Sequence, residues 1–303
     1  MKEVNIYLNM GLINGKQNAG LGIISPKEQY MMTTREMAAK AGYIRKTTFR
    51  IMHEAGGGHF GGCLSAVEIL TVLYYSELRC DPHNPSWPGR DWFVLGKGHA
   101  GPLLYAVLAD RGFFPADKLA ELDKNASMLP KHVDRLKVPG VEFSSGPLGI
   151  GLSFANGVAK AAKMDCRDTR VYVLMGDGEC NEGQVWESAM TAAHYSLDNV
   201  LAIVDRNRCQ VDGASEEVMG MEPFADKWRS FGWNVITTDG HDVVSIADAF
   251  DCARGAKGRP SVVIAETVKG KGISFMENDY RWHSAVLTGE QYERGLRDLA
   301  GTI

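Results

Sequence analysis

The chain has 303 residues, 45% of them hydrophobic, and a formal net charge of −4. That length buries roughly three quarters of the unfolded surface in one large α/β domain or two smaller ones, so no staple is needed. There is no long run of one charge sign, which disfavours nucleic acid and anionic membranes as partners, and no apolar run approaches the ~20 residues of a membrane helix.

Residues 1–32 have mixed polarity and lack a basic-then-apolar signal layout, so they read as an N-terminal arm. Thr33 and Glu36 then fit a capping box. Met37, Ala41, Ile44, Thr48 and Ile51 keep helical spacing until the glycines at 56–58 stop the helix. A second helix is expected from Ser65, with Glu68 three residues on, to the Asp-Pro at 81–82. DWFVL (91–95) reads as a strand, followed by GKGHAG and a helix through PLLYAVLADRG. Residues 115–145 carry Pro115, Pro130 and Pro139 and read as a helix plus a long loop, often a functional element in a compact domain. GPLGIGLSFANGVAKAAK is a glycine-rich turn leading into a helix of small residues.

The second half alternates cleanly. Strands are expected at 171–175, 200–205, 233–237 and 261–266, with helices near 183–196, 222–231 and 243–256. The strand runs are apolar throughout, as when both faces of a sheet are covered. Alternating β and α implies an α/β fold with a mostly parallel sheet and right-handed crossovers. No repeat or linker interrupts 33–303, so one domain is expected there. Six cysteines form no CxxC pair and read as free thiols in a reducing cytoplasm.

The apolar run VYVLM ends in GDGECNEG (176–183), and VLAIVD ends in RNRC (206–209). Ligands of open parallel sheets bind beyond the carboxyl ends of strands. Asp177 and Asn207 both follow such ends, 207 − 177 = 30 positions apart, about one βαβ unit. If the two strands are neighbours, a carboxylate and an amide oxygen reach one spot. Both are hard ligands suited to Mg²⁺ or Ca²⁺, and the gap they leave suits a diphosphate. Competing motifs fail. Gly178 is not followed by the third glycine of GxGxxG, neither GKG segment supplies GK[ST], and HEAGGGH lacks the HExxH spacing. GDG alone also fits a plain strand-to-helix turn with Asp177 near the helix start.

GDG followed at this distance by asparagine resembles the thiamine-diphosphate motif. GGGHFGG (56–62), FVLGKGHAGPLLYAVL (93–108), SSGPLGIGLSFANGVAKA (144–161), GHD (240–242) and KGKG…WH (269–283) then resemble, in unchanged order, the N-terminal half of transketolase. The resemblance implies a thiamine-diphosphate-binding fold, with helices on both faces of its sheet. It implies that Asp177, Asn207 and the backbone carbonyl of Cys209 hold Mg²⁺, for which Ca²⁺ or Mn²⁺ could substitute. Gly176, Asp177, Gly178 and the amides after them would meet the diphosphate. Gly146, Pro147 and Leu148 would lie along the cofactor. His99 and His283 would reach the diphosphate or the reacting centre, and His59 and His132 would line the substrate channel. Glu182 would link two cofactor sites across a subunit interface. Histidine suits a ketol transfer, which moves protons on and off sugar oxygens near neutral pH. His53, His83 and His194 read as ordinary loop or helix residues, His241 as ordering its turn with a supporting role behind the site residues as the alternative, and Met190 and Tyr195 as helix packing.

Three departures bear on the substrate. Arg206 precedes Asn207 where relatives carry asparagine or an acid, SAVLT follows His283 where they carry glycine and proline, and GHFGG stands for GHPGG or GHPSG. They admit a specialised ketose, such as a sulfo-sugar or a branched-sugar phosphate. The resemblance stops before the pyrimidine-binding and C-terminal domains of transketolase, which supply the acid that activates the cofactor ring. The expected protein is therefore the N-terminal subunit of a split transketolase, working with a separate C-terminal subunit, two copies of each. The alternatives are the α subunit of a 2-oxo-acid dehydrogenase and a non-catalytic diphosphate-binding scaffold.

Overall fold

The computed structural model describes residues 32–301, so the arm expected over 1–32 lies outside the described residues but for Met32. Five strands, β1 (Trp92–Leu95), β2 (Val171–Gly176), β3 (Val200–Arg206), β4 (Asn234–Asp239) and β5 (Ser261–Glu266), form one parallel sheet in the order β1-β2-β3-β5-β4. The register sets Gly176 beside Asp205 and Asp205 beside Ala265, so β2, β3 and β5 release their chains at one edge.

The described helices are α1 (Thr34–Glu54), α2 (Phe60–Leu64), α3 (Val67–Val72), α4 (Gly101–Asp110), α5 (Gly151–Met164), α6 (Gly183–His194), α7 (Ser215–Met219), α8 (Phe224–Ser230), α9 (Val243–Gly255) and α10 (Gly289–Ala300). Strand side chains alternate between two cores. Tyr172, Leu174, Leu201 and Ile203 join the core built with α1 to α4 and α9. Val171, Val173, Met175, Ala202 and Val204 join the core built with α5, α6 and α8. Covering on both sides is why β2, β3 and β5 carry no polar face along their length. Among the described residues no helix is long and apolar enough to cross a membrane, and all six cysteines are free thiols.

The capping box at Thr33 forms as expected: its hydroxyl accepts from the Glu36 amide at 3.2 Å, and Glu36 accepts from the Thr33 amide at 2.7 Å. Other expectations need correction. The second helix does not start at Ser65. It begins at Phe60, breaks at 65–66, and ends in a π-helical turn over Leu73–Glu77. The break frees the Ser65 hydroxyl to donate to the buried Asp205 at 2.6 Å instead of capping. Within 115–145 the helix is only a 3₁₀ turn, Ala116–Glu121, because buried Leu119, Leu122, Leu129, Val133, Val138 and Val141 anchor the segment at irregular intervals. β4 is an edge strand and half-exposed rather than covered. Met190 and Tyr195 lie on the surface rather than in a core, with Lys160 over the Tyr195 ring. Neither α7 nor α10 is anticipated, although Thr288 and Gln291 form a second capping box at the start of α10.

The glycines at 56–58 end α1 and turn the chain toward the carboxyl edge of the sheet. Gly57 has φ +125°, and a β-carbon there would lie 2.6 Å from the Ala285 carbonyl oxygen. Gly57→Ala therefore costs about 1–3 kcal/mol. Urea unfolding should show a lower midpoint with an unchanged slope.

Candidate active site

The carboxyl edge of the sheet gathers residues that are remote in sequence. His59 stands at the start of α2, His99 in the 3₁₀ turn Gly98–Ala100 after β1, His132 in the long loop, and His283 in the 3₁₀ turn Tyr280–His283. Gly58 and Ala285 exchange backbone hydrogen bonds at 3.0 Å, which brings the His283 turn against the His59 loop. The His59 ring lies 5.2 Å from His99, 5.6 Å from His132 and 5.4 Å from His283, and His99 lies 5.1 Å from His283. All four histidines expected at the site form one cluster. His132 is on its exposed rim.

Their environment keeps the inner rings neutral. Burial, then the neighbouring His132, Lys131 and Lys269, pushes His59 down to about 4. Burial, then Lys269, His59 and Lys97, does the same for His283, also to about 4. His99 is held well below its ordinary value by burial and by Lys97. His59 Nδ1 is buried with no hydrogen-bond partner, as is Ser145 Oγ in the adjoining glycine-rich loop. A ligand with hydroxyl or phosphoryl oxygens would satisfy such atoms.

The acids sit beneath this cluster. β2 and β3 are neighbours, as the Asp177–Asn207 argument required. Asp177 is buried; its Oδ1 accepts from the Gly178 amide at 2.8 Å, and its Oδ2 accepts from the Arg208 amide at 2.8 Å and the Ser215 hydroxyl at 3.1 Å. Burial and the nearby Asp205 raise its pKa, which those donors only partly offset. Asn207 Nδ2 donates to Asp205 at 3.3 Å, and its Oδ1 accepts from the Cys209 amide at 3.1 Å. Asp205 is fully buried; it also accepts from the Lys97 ammonium and from the Thr267 hydroxyl. Burial pushes the Cys209 thiol up, which disfavours the reactive thiolate.

The glycine-rich turns close the remaining side. A β-carbon at Gly98 would collide with Ser145 Oγ, so the segment carrying Gly146, Pro147 and Leu148 lies directly against the His99 turn. The side chain of Glu182 abuts Gly149, and Glu182 itself is exposed. Glu179 fills the space between these turns. Its carboxylate accepts from the Gly149 amide at 3.0 Å and the Gly176 amide at 3.2 Å, and burial pushes it up to about 7.

Four residues in this constellation are not among those expected: Lys97, Glu179, Asp205 and Lys269. Reading the GKG segments only as failed P-loops leaves both lysines without a place. A lysine just past the carboxyl end of an apolar strand is the signal that finds them. Lys269 donates to the Cys209 and Gln210 carbonyls, each at 3.0 Å, and its Nζ lies 3.2 Å from His283 Nδ1. None of these partners is anionic, and burial pushes the ammonium down to about 8. A buried cation held only by neutral groups suits an anionic ligand such as a diphosphate. Asp177, Asn207 Oδ1 and the Cys209 carbonyl are hard oxygen donors, the chemistry that suits Mg²⁺.

The neutral rings couple stability to pH. Between about pH 4 and the ordinary histidine value of 6.5, the unfolded chain binds protons that folded His59 and His283 refuse. Stability therefore falls as pH falls through that window. Urea midpoints at pH 7 and pH 5 should differ less in His59→Gln and His283→Gln than in the wild type. Equal differences in all three proteins would contradict the burial of neutral rings.

Comparisons with known proteins agree with this architecture. Residues 36–301 match the family model described as "Transketolase, thiamine diphosphate binding domain". The chain is 43% identical over 264 residues to the 6-deoxy-6-sulfo-D-fructose transketolase subunit SqwG of Clostridium sp. (strain MSTE9), covering 87% of this chain and 96% of that protein. It is 42% identical over 259 residues to one subunit of the apulose-4-phosphate transketolase of Phocaeicola vulgatus, covering 86% of this chain and 92% of that one. The transketolase of Campylobacter jejuni superposes with a TM-score of 0.83 at 30% identity, over 89% of this chain and 43% of that longer one. The parallel sheet, the order of its loops and these matches make the chain a member of the transketolase family, carrying its thiamine-diphosphate-binding domain.

Proposed function

We propose that this chain is the thiamine-diphosphate-binding subunit of a two-chain transketolase. It would transfer a two-carbon ketol unit between a ketose and an aldose, with Mg²⁺ holding the diphosphate. The observation that carries this reading is the convergence of His59, His99, His132 and His283 in one cluster, which Lys269 joins through His283 to the Cys209 carbonyl beside Asn207. Bound thiamine diphosphate supplies the carbon nucleophile that accepts the two-carbon unit.

The chain's own residues do the rest. Asp177 and Asn207 would hold the metal through side-chain oxygens, with the Cys209 carbonyl, which now accepts from Lys269, as third ligand. Gly176, Gly178, Lys269, His99 and His283 would hold the diphosphate, and Gly146, Pro147 and Leu148 would bind along the cofactor. His59 and His132, toward the open side, would exchange protons with sugar oxygens, a task that suits histidine near neutral pH. Exposed Leu148, Ile150 and Glu182 form a rim, partly apolar, that a partner chain would cover.

Two relatives that the chain nearly spans are named as transketolase subunits, which supports a separate partner chain bearing the pyrimidine-binding and C-terminal domains. Closed symmetry favours two copies of each chain. The names of those relatives also support a sulfonated or phosphorylated ketose as donor. Free thiols fit a cytoplasmic location.

Purified chain should show no ketol transfer, and should gain it on mixing with a partner of that type, saturating at equal amounts. Turnover by this chain alone, verified free of host transketolase, would overturn the two-chain reading. Activity with pyruvate but not with ketose phosphates or sulfo-ketoses would instead favour a 2-oxo-acid dehydrogenase.

Asp177→Ala should weaken Mg²⁺-dependent thiamine-diphosphate binding about 100-fold, the upper end of what outer-shell partners alone contribute. Calorimetry with and without Mg²⁺ reads this out, and unchanged Mg²⁺-dependent affinity sinks the metal assignment. His59→Ala and His132→Ala should lower kcat/KM for the sugar about 10²–10⁴-fold with little change in cofactor affinity. Loss of cofactor binding with normal sugar kinetics would reverse that assignment.

A further inference from the structure

The GHD turn at 240–242 touches none of the histidines or acids of the site, yet three features tie it to the loop that follows β5. Gly240 donates its amide to the Glu266 carbonyl at 2.8 Å, and a β-carbon on it would collide with the Thr267 methyl and lie 3.0 Å from the Glu266 oxygen. Asp242 caps α9, accepting from the Ser245 amide at 3.1 Å and its hydroxyl at 2.6 Å, and so fixes the direction in which the turn leaves. Between them, His241 reaches in two directions. Its Nε2 accepts from the Val268 amide at 2.8 Å, and its Nδ1 lies 3.0 Å from Glu68 Oε2.

These contacts fix the tautomer. A ring nitrogen that accepts from an amide carries no proton, so the proton sits on Nδ1 and is donated to Glu68. Glu68 is itself buried against Arg45, at 2.7 Å. The pair holds the carboxylate ionised although burial pushes it the other way. An ionised Glu68 requires a donor at Nδ1, and a protonated Nδ1 on a neutral ring leaves Nε2 as the acceptor.

Val268 stands between Thr267, which donates to Asp205, and Lys269, which meets Cys209, Gln210 and His283. We propose that His241 is a positioning residue: the Arg45–Glu68–His241 relay fixes the Val268 amide and thereby sets where Thr267 and Lys269 enter the active site. The effect on cofactor binding rests on the transketolase reading; the clamp itself does not.

Two isosteres separate this from a general structural role. In His241→Gln the side-chain amide places an oxygen where Nε2 stands, whereas His241→Asn keeps a polar group only at the level of Nδ1. Hydrogen exchange in the full chain without cofactor should show the 266–270 segment protected in the wild type and in His241→Gln. Exchange there should be about tenfold faster in His241→Asn and His241→Leu, the factor expected for one lost hydrogen bond. Gly240→Ala should loosen the same segment without altering His241, which keeps the test available if His241 variants fold poorly. With cofactor and partner chain present, His241→Asn should raise the KM for thiamine diphosphate about tenfold. Its kcat at saturating cofactor should stay near that of the wild type. Wild-type protection of 266–270 in His241→Asn, or equal loosening in His241→Gln and His241→Leu, overturns the clamp. The expected exchange pattern with an unchanged cofactor KM overturns its service to the site. Absence of ketol transfer in every protein, with the exchange pattern intact, counts against the transketolase reading alone.

Discussion

A carboxylate with no access to water, Asp205, organises the carboxyl edge of the sheet. Burying an ionised group costs several kcal/mol unless it is paired and hydrogen-bonded. Asp205 meets that demand by drawing on three other segments, Lys97 after β1, Ser65 at the break between α2 and α3 and Thr267 after β5, and on Asn207 just beyond its own strand. Each donor stands next to a residue of the candidate site. Lys97 precedes the His99 turn, Ser65 follows the helix that starts at His59, and Thr267 leads to Lys269. Ionised Asp205, held below its ordinary value by Lys97 although burial opposes it, is thus a shared anchor of the loops that the parallel sheet brings to this edge.

This explains which parts of the molecule are legible in the sequence. The sheet strands announce themselves because both faces need apolar residues, and the Thr33 cap announces itself because side chain and backbone satisfy each other locally. The Asp177–Asn207 pair is legible through its spacing from strand ends and His59 and His99 through their glycine-rich settings, whereas His132 and His283 are legible only through the resemblance to transketolase. Asp205, Lys97, Glu179 and Lys269 are not, since their meaning lies in contacts between segments tens of residues apart. Burial forces such groups to pair, but nothing local says with whom. The irregular 115–145 segment is illegible for a related reason: its buried residues follow the shape of the core beside α4 rather than a helical period. α10 escapes notice although its capping box is as plain as that of α1, because no core-facing stripe as long as that of α1 accompanies it; among the described residues of α10 only Gly295 and Leu299 are buried.

The same logic gives the site its charge balance. The negative groups under the histidines are compensated unevenly. Asp205 has Lys97, but Asp177 has only amides and a hydroxyl, and Lys269 has only carbonyls and an imidazole. A buried anion without a cation and a buried cation without an anion, side by side yet not hydrogen-bonded to each other, leave the domain incompletely neutralised by itself. In the proposed function a metal diphosphate would answer both at once, the metal complementing Asp177 and the phosphoryl oxygens Lys269.

That complementarity extends to the histidines. His59, His99 and His283 are kept neutral by burial together with the positive charge of the neighbouring lysines. Negative charge placed among them opposes both causes, because it offsets the lysines and stabilises a protonated ring. An anionic ligand therefore does more than occupy the pocket. In the proposed complex it would raise the pKa values of these rings from their lowered positions, toward the range in which an acid–base group works best. The histidine cluster, held neutral by burial and the adjoining lysines, would become suited to proton exchange with the proposed anionic ligand in place.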